Sequence, residues 1–391
     1  MTYKQAVLKR RIEHIAILPL VWLGKLAGKI FPLKTNNSIF LFFASADLGG
    51  APKVNLDITE CLRDQNPMII FSKKPKNNKF LPAFHKTGVS IIDLNKKIDN
   101  KLYHFINIFY RGVIASWINA VEKPVVFGGE SLYFYKVIPH IKKSAKVVEL
   151  CHLNTWFNYS QAFIDLIDAR VFSTQKIKRD VEALYKKNNL PARFFERLFF
   201  IDNSIDIPPY RAVQNDILQV LYVGRGAPQK RVHLLAQIVQ KASELNLPVH
   251  FSFVGDVQEY FNGVSLPSLS LLGEIPDKNI LEDIYWKSDV LILTSKYEGL
   301  PIVVMEMMAR GKVVLSTAID SIPDYISHLE NGLLISAIDE DKIVDEAISL
   351  LELLISNPEL KRKIGERAYH YASDKFSWEH FKEFYLKLLR R

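Results

Sequence analysis

Short apolar runs, each followed by a turn and then by a stretch of helical composition, recur from Ser38 almost to the end of the chain. Residues 39–44, 68–71, 89–93, 124–127, 147–151 and 170–173 form one series; 218–223, 249–254, 289–294, 313–316 and 333–335 form a second. Runs this short and this continuously apolar predict strands buried on both faces. Their alternation with helices predicts parallel sheets covered on both sides. The chain has 391 residues, room for two domains of ordinary size. The stretch 198–209, which ends in two consecutive prolines, is the expected crossing between them. The expected organisation is therefore a segment 1–35, a first domain 36–209, a second domain 210–375 and a final segment 376–391, with a last helix over 378–389. There is no internal repeat and no low-complexity tract.

Composition narrows the partners. With 48% hydrophobic and 24% charged residues, the chain is globular rather than disordered. A net charge of +9 favours anionic partners: phosphates, acidic glycans or anionic lipid. No Lys/Arg block with interleaved aromatics marks a nucleic-acid module, so nucleic acid is not expected. The two cysteines, Cys61 and Cys151, have no metal-ligand neighbours at useful spacing and read as reduced core residues.

Residues 1–35 stand apart. Lys4, Lys9, Arg10 and Arg11 precede an apolar run that carries Trp22, and Lys25 and Lys29 then alternate with Leu26, Ile30 and Phe31. The run is shorter than the roughly 20 residues needed to span a bilayer. Basic, apolar and Trp-bearing, it suits an anchor lying on an anionic leaflet. The alternative is a first helix packed on the protein's own core.

The most informative stretch is 295–306, Ser-Lys-Tyr-Glu-Gly-Leu-Pro-Ile-Val-Val-Met-Glu. It follows the strand expected at 289–294 and leads into a helix, with Pro301 at the first helical position and Gly311 after the last turn. Glu298 then lies in a loop at a strand's carboxyl end and Glu306 projects from the helix. Free backbone N–H groups around Gly299, Leu300, Ile302 and Val303 form an anion site between them. A carboxylate beside an anion site suits a ligand with hydroxyls and phosphates, such as a nucleotide sugar.

A second constellation, Val223-Gly224-Arg225-Gly226-Ala227-Pro228-Gln229-Lys230, falls at the carboxyl end of the second domain's first strand, where ligands of open α/β sheets bind. Arg225 offers a bidentate fork to phosphate oxygens and Lys230 a point charge. Gly49 and Gly50 make a turn after the first strand whose backbone could approach a phosphate closely. Asp339-Glu340-Asp341 has the letters of a metal-binding Asp-x-Asp, but it opens a helical stretch, where acids complement the dipole; no metal is expected. Aromatic and basic residues cluster at 103–111, 133–143 and 193–200, as core or as an acceptor- or membrane-facing surface.

The pair Glu298 and Glu306, separated by seven residues, resembles the paired-glutamate signature of family 4 glycosyltransferases. The resemblance spans most of 38–390, is strongest over 220–335 and weakest over 73–200. It implies the glycosyltransferase B architecture: two facing Rossmann-like domains with parallel sheets and a C-terminal helix crossing back to the first. It implies a retaining transferase moving a sugar from a nucleoside-diphosphate donor to an acceptor hydroxyl, without metal or cofactor. The implied roles give Glu298 the donor sugar and Glu306 the ribose. Arg225, Lys230 and Gly224 receive the diphosphate, faced by Gly49 and Gly50, with Gly273 and Ile275 at the base and His152 near sugar and acceptor. Departures occur at Arg231, where a glycine is usual, at Ser204, and at Asp320-Ser321, which replaces a glycine pair. The expected acceptor is a lipid-linked or cell-surface glycan such as a lipopolysaccharide or capsule precursor, and the expected location is the cytoplasmic face of the membrane. An epimerase of similar fold and a non-catalytic membrane-associated scaffold are the rival readings.

Overall fold

The computed structural model describes residues 2–34, 36–99, 104–152, 157–263 and 265–390. Tyr103, which opens the aromatic cluster 103–111, lies outside the described residues, as do residues 1 and 35 of the first segment and residue 391. The chain forms two compact units. One comprises Met1–Asp202 with Glu379–Arg391, the other Asn203–Trp378.

The first unit is built on seven parallel strands: β1 (Ile39–Phe43), β2 (Met68–Phe71), β3 (Ser90–Asp93), β4 (Val125–Gly129), β5 (Lys146–Cys151), β6 (Ala169–Phe172) and β7 (Leu198–Phe200), in the order β3-β2-β1-β4-β5-β6-β7. The Ile-Phe-Leu-Phe-Phe run of β1 is buried throughout, as a central strand covered on both faces requires. Residues 198–200, expected to belong to the crossing, instead form β7. At three residues, on a sheet edge and only partly buried, it carries no readable alternation. The helix Trp378–Leu389 packs in this unit, with Tyr385 buried edge-on against Phe127 at 6.2 Å.

Helix α1 (Tyr3–Ile30) opens the chain. A capping box starts it: Gln5 N–H donates to the Thr2 hydroxyl and Thr2 N–H to Gln5 Oε1. One face is fused to the helix His104–Ala120. A Cβ on Gly24 would lie 1.9 Å from the Phe109 carbonyl oxygen, and one on Gly112 2.0 Å from that of Val21. Glycine is required at both positions because the two backbones touch. Arg10 adds a bidentate pair to Asp165 at 2.7 and 2.9 Å, and Trp117 Nε1 donates to the Phe31 carbonyl at 2.9 Å. The opposite face exposes Ile15 (66%), Trp22 (64%) and Ile30 (63%), and the C-cap Phe31 is exposed as well (72%). No helix among the described residues is long and apolar enough to cross a membrane.

The second unit holds six parallel strands: β8 (Leu218–Val223), β9 (Val249–Val254), β10 (Leu269–Gly273), β11 (Val290–Leu293), β12 (Val313–Thr317) and β13 (Leu333–Ile335), in the order β10-β9-β8-β11-β12-β13. The runs read from the sequence include no strand between 254 and 289. The structure carries Leu269–Gly273 into edge strand β10, with a bulge between Leu271 and Gly273 that breaks the pattern. Cys61 and Cys151 are free and buried. Burial, aided by the nearby Asp57 charge, pushes the Cys61 thiol up to about 12, so it is a packed core group.

Candidate active site

The second sheet reverses its strand order at β8, which lies between β9 and β11. Two loops leave the carboxyl ends of β8 and β11 at this switch point, where open α/β sheets receive their ligands. They are stitched together. Lys296 N–H donates to the Gln229 carbonyl at 2.8 Å, and Gln229 Nε2 donates to the Tyr297 carbonyl at 2.7 Å. Arg231 resolves the turn left open by the missing glycine. It takes the left-handed conformation (φ 47°), and its buried guanidinium donates to the Thr294 and Ser295 carbonyls at 2.6 and 3.0 Å. The departure thus becomes a tie between the two loops.

That tie brings Lys230 and Glu298 together. The ammonium is paired with Glu298 Oε1, and the Ser295 hydroxyl donates to the same oxygen at 2.7 Å. Their side chains are only 14% and 9% exposed, which strengthens the attraction and raises its desolvation cost. Arg225 stands exposed at the tip of the first loop, and its carbonyl accepts from the Tyr222 hydroxyl at 3.1 Å. Gly224 and Gly226 are needed for close approach: a Cβ would lie 2.6 Å from the Tyr222 hydroxyl and 2.2 Å from the Asp256 carbonyl oxygen, respectively. Gly226 N–H also donates to Asp256 Oδ1 at 2.9 Å.

Beyond Glu298 the chain runs through Gly299 and Leu300 into the helix Ile302–Met308. Pro301, expected as the first helical residue, is the N-cap instead. Its φ of −62° suits a helix, but ψ at 135° is extended, so the helix begins at Ile302 and is seven residues long. Gly311 closes it at φ 65°, with Gly311 and Lys312 N–H donating to the Met308 and Met307 carbonyls. Glu306 Oε2 accepts from the Tyr285 hydroxyl at 2.9 Å. Burial, then the Glu306 charge, raise the Tyr285 pKa, keeping that hydroxyl a donor. Gly273 ends β10 at φ 67° on the same carboxyl edge, with Ile275 half-buried just beyond. Asp339, in the Asp-x-Asp letters, caps the helix Glu340–Ser356 by accepting from Lys342 N–H.

In the first unit the order reverses at β1, between β2 and β4. Gly49 is the N-cap of helix α2 (Gly50–Leu62), leaving that helix's first N–H groups without a capping side chain. Asp47 before it turns away to accept from the N–H groups of Lys76, Asn77 and Asn78 at 2.9, 2.9 and 3.0 Å. His152 follows β5, and its Nε2 has no hydrogen-bond partner among the described residues. Burial lowers its pKa, against the opposing charge of Glu130, so the imidazole stays neutral. Sequence reasoning singled out neither Ser295 nor Tyr285 as a partner of the glutamates, nor the buried Glu149–Arg170 pair on β5 and β6. None has a motif, and their pairings exist only once strands and loops are assembled.

Two parallel α/β units, with a lysine–glutamate pair at the switch point of the second, make up the class of fold and site, and the relatives give the family. The model for glycosyl transferases group 1 matches residues 209–371. An uncharacterised glycosyltransferase of Haemophilus influenzae is 34% identical over 351 residues, covering 86% of this chain and 95% of its own. One from Methanocaldococcus jannaschii is 25% identical over 230 residues, 51% of this chain and 62% of its own length. Among solved structures, Anabaena Alr3699/HepE in complex with UDP superposes with a TM-score of 0.72 at 15% identity, covering 90% of this chain and 99% of that one. The protein belongs to the group 1 glycosyltransferases and has the glycosyltransferase B fold.

Proposed function

We propose that the protein is a retaining, family 4 glycosyltransferase that moves a sugar from a nucleoside-diphosphate donor to an acceptor hydroxyl without a metal ion. The observation that carries this reading is the Lys230–Glu298 pair beside exposed Arg225 at the β8/β11 switch point. A donor whose diphosphate takes Lys230 and whose sugar hydroxyls take Glu298 satisfies both members of a costly, mostly buried pair. As the glycosidic bond breaks, negative charge grows on the diphosphate, and two cations aimed at it stabilise the transition state more than the ground state. The acceptor hydroxyl attacks from the face the diphosphate leaves, and the leaving phosphate oxygen takes its proton, so no separate general base is needed. Glu298 faces the positive charge building at the anomeric carbon. Glu306 grips the ribose, with Gly273 and Ile275 at the base. HepE, the Anabaena relative by fold, has also been crystallised with UDP-glucose, in keeping with such a donor.

The acceptor we favour is a lipid-linked or cell-surface glycan precursor, met at the cytoplasmic face of a membrane. Support comes from α1, whose outward face carries Ile15, Trp22 and Ile30, with exposed Phe31 at its C-cap, beside Lys4, Lys9 and Arg11. Its inner face is fused to the His104–Ala120 helix, so α1 acts as a fixed plate of the domain rather than a detachable arm.

The test incubates the full chain with UDP-glucose, UDP-galactose, UDP-N-acetylglucosamine and GDP-mannose, with magnesium or with excess chelator. Hydrolysis or transfer that survives chelation is expected. Loss on chelation, restored by a divalent ion, overturns the metal-free mechanism; epimerised sugar or no turnover with any donor overturns the transferase.

A further inference from the structure

Asp320 and Ser321 follow β12 next to the paired loops, and each carries a cost. Asp320 holds a left-handed backbone at φ 44°, a conformation that favours glycine. Ser321 is fully buried, and its hydroxyl has no hydrogen-bond partner among the described residues. Glycine at either position would remove the corresponding cost.

The exposed Asp320 carboxylate reaches across to the loop after β11, where its Oδ2 accepts from the Glu298 N–H at 2.9 Å. A second tie enters the loop from the same strand, where the Thr317 hydroxyl donates to the Ser295 carbonyl at 2.8 Å. With Arg231 holding the Thr294 and Ser295 carbonyls from the other side, the residues before Glu298 are fixed on two flanks. The backbone of Glu298 itself is held by Asp320.

We propose that Asp320 is a positioning residue that sets the backbone of Glu298, so that its carboxylate meets the donor sugar in a fixed geometry. This rests on the role proposed for Glu298. The arrangement exchanges local backbone comfort for an ordered loop, as strained residues at ligand sites do. Because the Glu298 N–H lies at the loop surface, water can replace the carboxylate if it is removed. Stability then has little stake in the bond, while the loop's geometry has a large one.

Asp320→Gly and Asp320→Asn separate these roles. Asparagine tolerates the left-handed backbone and keeps a carbonyl acceptor; glycine relieves the backbone and leaves no acceptor. Amide exchange at Glu298, read by NMR on the ligand-free protein, is expected to quicken about tenfold to hundredfold in Asp320→Gly and much less in Asp320→Asn. The thermal midpoint of Asp320→Gly should stay at or above that of wild type. With whichever donor of the four-sugar panel turns over, kcat should fall in Asp320→Gly with KM little changed, and Asp320→Asn should recover most of it. Unchanged exchange at Glu298, unchanged kcat, or an Asp320→Asn variant as impaired as Asp320→Gly overturns the proposal. Glu298→Gln is measured alongside. Wild-type turnover in that variant rejects the Glu298 role and not the Asp320 contact, which the exchange data read without any donor.

Discussion

Glu306 and Glu149 show how differently two buried-side carboxylates can be employed. Glu306 Oε2 accepts from a neutral donor, the Tyr285 hydroxyl, rather than from a buried cation. Tyr285→Phe should leave the fold intact and weaken UDP binding modestly, by roughly 0.5–1.5 kcal/mol, whereas Glu306→Gln should cost about 1.5–3 kcal/mol, mostly as raised KM. Calorimetry on both variants checks the order. Glu149, by contrast, is consumed by the fold. Arg170 donates to it at 2.6 and 3.1 Å, Tyr135 donates as well, and the Arg170 guanidinium also reaches the Tyr185 and Ser160 hydroxyls. Both side chains are under 5% exposed. Arg170→Met therefore strands a buried charge and should destabilise the first unit by about 3–5 kcal/mol in urea unfolding. Asp47 adds a pH dependence. Burial pushes its carboxyl up, but the N–H groups of Asn77, Asn78 and Lys76 and the Ser45 hydroxyl outweigh it and hold the pKa at about 2, below the ordinary 3.8. A depressed carboxylate contributes stability present above the unfolded value and lost as pH falls through the folded one. Protection of the 76–78 amides in wild type should thus decay between pH 4 and pH 2, and Asp47→Ala should lack it at neutral pH.

At the scale of elements, α1 makes two opposite predictions on its two faces. Gly112→Val inserts a side chain where even a Cβ would lie 2.0 Å from the Val21 carbonyl oxygen, so the helices must separate. The expected loss is at least the 1–3 kcal/mol of ordinary overpacking, read as a lower thermal midpoint. Trp22→Ser with Ile15→Ser changes only the outward face, so the midpoint should hold. Flotation with anionic liposomes should fall, and more steeply at high salt, because both the apolar and basic contributions then weaken. Equal flotation by this variant and wild type would detach α1 from the membrane reading. The composition of 1–35 pointed to an anchor or a packed helix. The structure gives one face to packing, and the glycines that decide this, Gly24, Gly28 and Gly112, have no meaning until their partner helix is known.

For the whole molecule, the central strands were legible because they are continuously apolar and bounded by turns; β1, β8 and β11 stand where the runs at 39–44, 218–223 and 289–294 put them. The edge strands β7 and β10 were not, since one leaves two of its three residues only half-buried and the other is bulged. In the candidate site the residues with a motif were visible: Glu298, Glu306, Arg225 and Lys230. Their supports were not, because Ser295, Tyr285, Arg231 and Asp320 act through pairings across loops that no spacing in the chain encodes. The proposed reaction turns on Glu298 acting on a nucleotide-sugar donor. Its most direct test is donor turnover by wild type and Glu298→Gln in excess chelator, with the anomeric configuration of the released or transferred sugar followed by NMR. Wild type should keep the donor's configuration, and the variant should lose about tenfold to hundredfold in kcat while still binding UDP. An inverted product, or a Glu298→Gln variant with wild-type turnover, would contradict it.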